Sequence, residues 1–155
     1  MLLKGIVAVL LAGILSAAHP VFHVTRVIDG DTLLVSNGER VRLIGVDTPE
    51  LHHPFKPVQF FAEEAFQFTR TVAEGKDVRL EYDWRRRDRY GRLLAYVYLE
   101  DGTFLNAEIV RQGYGFAFTK YPFKYMAQFR QYQREARENG RGLWKPREAK
   151  NKKFS

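Results

Sequence analysis

The 155-residue sequence contains no cysteine. Disulfide scaffolds, thiolate zinc sites, iron–sulfur clusters and cysteine nucleophiles are therefore excluded together, and any metal must bind through oxygen or imidazole. Histidine is scarce too: His19, His23, His52 and His53 are the whole set, too few and too bunched for a zinc site. The longest apolar run, Gly5 to Ala18, has 14 residues, short of the roughly 20 that span a bilayer. Nor is the composition that of a disordered or collagen-like chain, because 45% of residues are hydrophobic and 28% charged. The length suits one compact domain rather than two.

Positive charge is present in excess. Twenty-five Lys and Arg stand against 18 Asp and Glu, for a formal charge of +7 and a pI near 9.7. That balance favours a polyanionic partner, either nucleic acid or a membrane surface. Residues 1–18 read as a secretory signal peptide, with Lys4 ahead of the apolar run and Ser16-Ala17-Ala18 approximating a small-x-small cleavage site. The expected product is a secreted or periplasmic domain over residues 19–146 with a basic tail over 147–155. An uncleaved segment would instead anchor the domain to a membrane, outside the cytoplasm; a buried N-terminal helix is the third reading. Removing residues 1–18 takes away only Lys4 among charged residues, so the basic character belongs to the folded part.

The pattern from Phe22 onward is that of strands. Phe22 to Ile28, Thr32 to Val35 and Val41 to Val46 form a predicted meander, its turns at Asp29-Gly30-Asp31 and at Asn37-Gly38, the latter suited to a two-residue hairpin. Apolar residues at Val58, Phe61, Ala62, Ala65, Phe68 and Val72 predict a helix stopped by Gly75. Val78, Leu80, Tyr82 and Trp84 alternate onto one strand face, and Arg92 to Leu99 returns as a fifth strand. A short helix is expected from Asn106, as N-cap, to Gln112. A last one carries Tyr125, Phe129, Tyr132 and Ala136 up to Asn139-Gly140. The layout is that of a mainly β, α+β domain: an OB-fold, five strands in a Greek-key barrel, with three helices packed on it.

Four segments place charge where strands end: Asp29-Gly30-Asp31-Thr32, Arg42-Leu43, Asp47-Thr48-Pro49-Glu50 and Arg89-Tyr90-Gly91-Arg92. Asp31 and Asp47 could give hard oxygen ligands to Ca²⁺, with the Thr48 carbonyl and waters completing the shell. A carboxylate-bound cation beside two arginines and a spare carboxylate is what phosphodiester hydrolysis requires. Cation and arginines neutralise the phosphoryl oxygens, and the spare carboxylate orients and deprotonates water. Arginine suits the task because its planar fork donates two parallel hydrogen bonds and stays protonated.

Each segment also has a plainer reading. Asp29-Gly30 is ordinary turn chemistry, Asp47 to Glu50 fits a capping box with Pro49 at the first helical position, and Arg42 and Arg92 could make surface ion pairs. The five arginines between Arg85 and Arg92 form either a solvated loop or a phosphate-facing patch. Arg42 and Asp47 are five apart, so strict alternation would send them to opposite faces; a bulge or bend at Gly45 would bring them together.

With those residues in place, the sequence resembles the staphylococcal nuclease (thermonuclease) family of calcium-dependent nucleases. The resemblance runs from about Phe22 to Trp144. It rests on Val27 to Thr32, Arg42 to Glu50, Asp88 to Tyr96 and Val110-Arg111-Gln112-Gly113. It implies an OB-fold endonuclease that cleaves DNA and RNA, single- or double-stranded, to leave 3′-phosphate ends, with calcium as cofactor. It further implies Asp31, Asp47 and Thr48 as calcium ligands, Arg42, Glu50 and Arg92 as the catalytic set with Glu50 as general base, and Arg89, Tyr90 and Tyr121 at the substrate. A monomer with no stable protein partner is expected. The competing class is a catalytically inactive OB-fold module that binds single strands, and the acidic set counts against it, since uncompensated carboxylates would repel phosphate. A two-carboxylate glycosidase leaves Arg42 and Arg92 unexplained.

Overall fold

The computed structural model describes residues 19–147, so the segment expected to be a signal peptide and nearly all of the expected basic tail lie outside the described residues. The strands are β1 (Val21–Asp29), β2 (Thr32–Val35), β3 (Arg40–Leu43), β4 (Val46–Asp47), β5 (Asp77–Glu81), β6 (Leu93–Leu99) and β7 (Phe116–Ala117). The helices are α1 (Ala62–Ala73), α2 (Leu105–Arg111) and α3 (Met126–Glu138), followed by one 3₁₀ turn at Gly142–Trp144. Five strands close into a barrel in the order β1-β2-β3-β6-β5, with β3 and β6 parallel and the other pairs antiparallel. The OB-fold expectation holds, and closure, which element order alone leaves open, is present.

Closure depends on β1, which pairs with β2 at one end and β5 at the other and carries two register shifts, between Val24 and Arg26 and between Val27 and Asp29. Such irregularities bend a strand, letting one strand serve two neighbours around a tight barrel. Val24, Val27, Leu33, Val35, Val41, Leu43, Val97 and their neighbours fill the interior, and α2 and α3 close the core with Leu105, Ile109 and Phe129.

Several expectations need correction. The Asn37-Gly38 connection is a three-residue loop, because the Val35 N–H bonds to the Glu39 carbonyl and only Gly38 takes the left-handed conformation (φ 83°). Helix α1 starts at Ala62, not Val58, which lies exposed in the preceding loop. Asn106 is inside α2 rather than capping it: fully buried, it accepts the Val97 N–H (2.9 Å) and donates to the carbonyls of Ile44 and Ala95 (both 3.0 Å). Strand β5 ends at Glu81, which puts Trp84 in the β5–β6 loop instead of on a strand face.

The predicted third strand is broken in two. Ile44 and Gly45 form a turn with Gly45 at φ 75°, after which β4 leaves the barrel to pair with β7, a strand too short to show any periodicity. A Cβ on Gly45 would lie 2.6 Å from the Phe123 ring. Both conformation and space therefore demand glycine here. The turn is braced by Ile44 N–H to Ala95 O and by the Asn106 amide.

Candidate active site

The turn at Gly45 resolves the parity problem between Arg42 and Asp47. The Arg42 guanidinium reaches back over it, Nη1 donating to the carbonyls of Leu43 (2.8 Å) and Val46 (2.7 Å) while Nη2 faces Asp31 Oδ2 at 3.2 Å and Asp47 Oδ1 at 3.6 Å. Backbone contacts on one nitrogen fix where the other points.

Asp31 sits in the β1–β2 turn, buried, its Oδ2 also accepting the Thr48 N–H at 3.0 Å. The turn is held from both sides. Thr69 of α1 donates to the Gly30 carbonyl at 2.7 Å, and a Cβ on Gly30 would lie 2.8 Å from the Thr48 side chain, so only glycine lets segment 47–50 pack this closely. Residues Thr48 to Glu50 are irregular, not helical, which disposes of the capping-box reading.

Electrostatics joins these groups to a fourth carboxylate. The Asp47 pKa is raised by desolvation and by Asp31 and Glu50, with Arg42 opposing. That of Asp29 is raised by burial, then by Asp31 and Glu50, with His52 and a backbone hydrogen bond from Leu51 opposing. Asp29, Asp31, Asp47 and Glu50 thus share one field, and only Arg42 makes an ion pair inside it among the described residues. Asp29 Oδ1 is buried with no hydrogen-bond partner among the described residues. Hard oxygen donors, the raised carboxyls of Asp29 and Asp47 and an orphaned buried oxygen suit a hard cation. No three acidic or histidine side chains among the described residues converge as a complete ligand set, so Asp31 and Asp47 would need the Thr48 carbonyl and water beside them.

Arg42 also lines a cleft of about 340 Å³ between the β5–β6 loop and residues 118–123, together with Arg89, Tyr90, Arg92 and Tyr121. Arg92 is aimed by Asp88, whose Oδ2 accepts from Nε at 2.6 Å. Tyr90, 67% exposed, lies under both Arg89 and Arg92 (4.7 and 5.3 Å from guanidinium carbon to ring centroid). The arginine run is not one patch. Arg85, Arg89 and Arg92 line the cleft, whereas Arg87 forms a two-pronged pair with Glu39 and Arg86 stacks on Tyr82.

A family model described as "Staphylococcal nuclease homologue" matches residues 40–146. The chain belongs to the staphylococcal nuclease family. It is 40% identical to the thermonuclease of Staphylococcus hyicus over 137 residues (86% of this chain, 80% of that protein). Against the thermonuclease of Staphylococcus intermedius it is 44% identical over 128 residues (79% and 75%), and against endonuclease YncB of Bacillus subtilis 38% over 125 (77% and 59%). Its class is that of a nuclease hydrolase of the micrococcal type.

Sequence reasoning missed three groups at this site. Asp29 was absorbed into turn chemistry, although Asp-Gly-Asp necessarily puts two carboxylates on one tight turn. Gln59 clamps Glu50 at two points, accepting the Glu50 N–H on Oε1 (2.8 Å) and donating its own N–H to the Glu50 carbonyl (3.2 Å); nothing in the local pattern signals this. Trp84, which the alternation puts on a strand face, and Phe118 are exposed in the cleft.

Proposed function

We propose that the protein is an exported, calcium-dependent nuclease that hydrolyses DNA and RNA to products with 3′-phosphate ends. The observation that carries this reading is the double engagement of Arg42, paired with two carboxylates on one side and lining the arginine- and tyrosine-walled cleft on the other. A phosphodiester in the cleft would meet cationic donors at its oxygens and carboxylates at the position of attack. Asp31, Asp47 and the Thr48 carbonyl would hold the calcium ion, which when bound supplies positive charge to the phosphoryl group.

The chain's own residues do the rest. Arg42 and Arg92 donate to the non-bridging oxygens, whose charge grows as phosphorus becomes five-coordinate; such donors are each worth about 10²–10³ in rate. Glu50, next to the acidic cluster, accepts a proton from water as its oxygen bonds to phosphorus. The bond to the 5′ oxygen breaks in line, that oxygen takes up a proton, and the phosphate stays on the 3′ side. Tyr90, Arg89 and Tyr121 hold the flanking nucleotides.

Export rests on the composition of residues 1–18. No described helix is long and apolar enough to cross a membrane.

The test is hydrolysis of single-stranded DNA by the purified protein, with calcium and then with chelator, beside Glu50→Gln and Arg92→Ala. Calcium-dependent cleavage that falls by about 10² or more in both variants, with DNA binding retained, is expected. Binding without cleavage in any divalent cation would make the protein a single-strand binding module instead. Recovery from the culture medium or periplasm, rather than the membrane fraction, is the expected outcome for export.

A further inference from the structure

Burying a large aromatic ring removes apolar area from water, so a tryptophan left 67% exposed and yet rigidly held needs a reason. Trp84 is such a residue. Its indole Nε1 donates to the Pro122 carbonyl at 3.0 Å, tying the ring edge on the β5–β6 loop to the opposite wall of the cleft, and its backbone N–H donates to Asp83 Oδ1 at 2.7 Å. No aromatic ring or cation stacks on its faces among the described residues, in contrast to Tyr90. Arg85 and Lys120 line the same cleft, both set over Tyr121 at 6.0 and 5.5 Å.

A rigid, vacant aromatic face among cationic side chains selects a ligand that is flat, electron-poor at its ring edge and negatively charged beside the ring. A nucleobase on a phosphodiester backbone has this chemistry. We propose that Trp84 is a stacking subsite for one base of a single strand lying in the cleft, with Arg85 serving the adjacent phosphate. The inference deepens the nuclease reading and rests on it. Bases inside a duplex are already stacked and paired, so the subsite is open only to an unpaired base.

Trp84 could instead act only as a latch on residues 118–123, and an abasic scan separates the two roles. Single-stranded octanucleotides, each lacking one base at a different position, are cleaved by the wild-type protein, Trp84→Ala and Trp84→Phe. One position is expected at which losing the base raises KM about 10-fold for the wild type and not at all for Trp84→Ala. Trp84→Phe, which keeps a ring and loses the indole hydrogen bond, should retain most of the wild-type KM on the intact strand. Equal effects of abasic substitution in all three proteins, or a Phe variant as poor as the Ala variant, would leave only the latch.

Binding is read separately in a Trp144→Phe background, where Trp84 is the sole tryptophan. Its emission should be quenched by the octanucleotide in chelator and not by the matching duplex. Quenching without any cleavage would overturn the nuclease reading and support the subsite; cleavage without quenching would do the reverse.

Discussion

The two walls of the site are built differently. The carboxylate wall, Asp29, Asp31, Asp47 and Thr48, hangs on a barrel turn and a β-bridge, held by backbone donors, the Thr69 hydroxyl and a glycine contact. The arginine and aromatic wall is surface loop, with Trp84, Tyr90 and Tyr121 exposed, the two tyrosines against Arg89, Arg92 and Arg85, and Trp84 hydrogen-bonded to the Pro122 carbonyl. Groups that must sit within fractions of an ångström of a reacting atom are set on rigid elements. Groups that only have to hold a chain of variable sequence are set on loops, where area matters more than angle. Damage to the first wall should therefore appear in stability and kcat together, and loss of an aromatic ring from the second chiefly in KM.

The sharpest way to break that contrast is Asn106→Ala. Asn106 touches no site residue, but its amide braces the Ile44–Gly45 turn that separates Arg42 from Asp47. Removing it strands the Val97 N–H and the Ile44 carbonyl, while the Ala95 carbonyl keeps the Ile44 N–H, a loss of about 2–6 kcal/mol at roughly 1–3 per group. Thermal unfolding should show a correspondingly lower Tm, and at temperatures where the variant is still folded kcat should drop with KM nearly unchanged. A variant with wild-type Tm would mean that the turn does not need its brace.

Asp83 ties the base of the other wall to Tyr96 of β6 and to Lys124. Burial raises its pKa, but hydrogen bonds from the Tyr96 hydroxyl and the N–H groups of Lys124 and Trp84 outweigh this and leave it lowered. Asp88 is likewise lowered: burial opposes the shift, while the Arg92 side chain and backbone drive it. A lowered carboxylate contributes stability that is complete above its unfolded pKa, about 3.9, and is lost as pH falls through the folded value. From these two groups stability should accordingly be flat near neutrality and decline below about pH 4, while the raised Asp29 and Asp47 act in the opposite sense. Asp83→Asn should remove part of that acid slope and cost about 1.5–3 kcal/mol at pH 7, the range for hydrogen bonds to a charged group. Denaturant melts of both proteins from pH 3 to 7 check this; parallel curves would remove Asp83 from the account.

How much of this was legible depends on where each signal lived. The five barrel strands, three helices and four charged segments announce themselves by alternation, helical spacing and turn residues, because those are local. The break at Gly45 was readable only as a parity conflict between Arg42 and Asp47, and β4 and β7, of two residues each, exist only because the turn brings them together. Trp84 continues the alternation of β5 and so reads as a strand residue, yet the strand stops at Glu81 and the ring is exposed in the loop that follows. Asn106 looked like a helix cap because asparagine caps helices; its partners are nine or more residues away in sequence, and no local pattern reports them.

Gln59 is the case where the contrast between the walls should blur, because it is an exposed loop residue attached to the carboxylate side. It precedes Phe61, which is left-handed at φ 67° and the one non-glycine residue with positive φ among those described. A bulky residue rarely adopts that conformation, at a cost of about 1–2 kcal/mol, and here it lets the chain turn from Gln59 directly into α1, the Ala62 N–H reaching the Gln59 carbonyl at 3.1 Å. The turn leaves Gln59 beside Glu50, where its side chain and its backbone each bond the Glu50 main chain. Loss of the side-chain bond in Gln59→Ala frees one of two tethers, so Glu50 should spend more time away from its working position: a kcat about 10-fold lower, or about 1.4 kcal/mol, with KM and Tm within error. In a Glu50→Gln background, Gln59→Ala should do nothing further. A 10-fold loss that persists there would show that Gln59 acts on the fold or on the substrate rather than through Glu50.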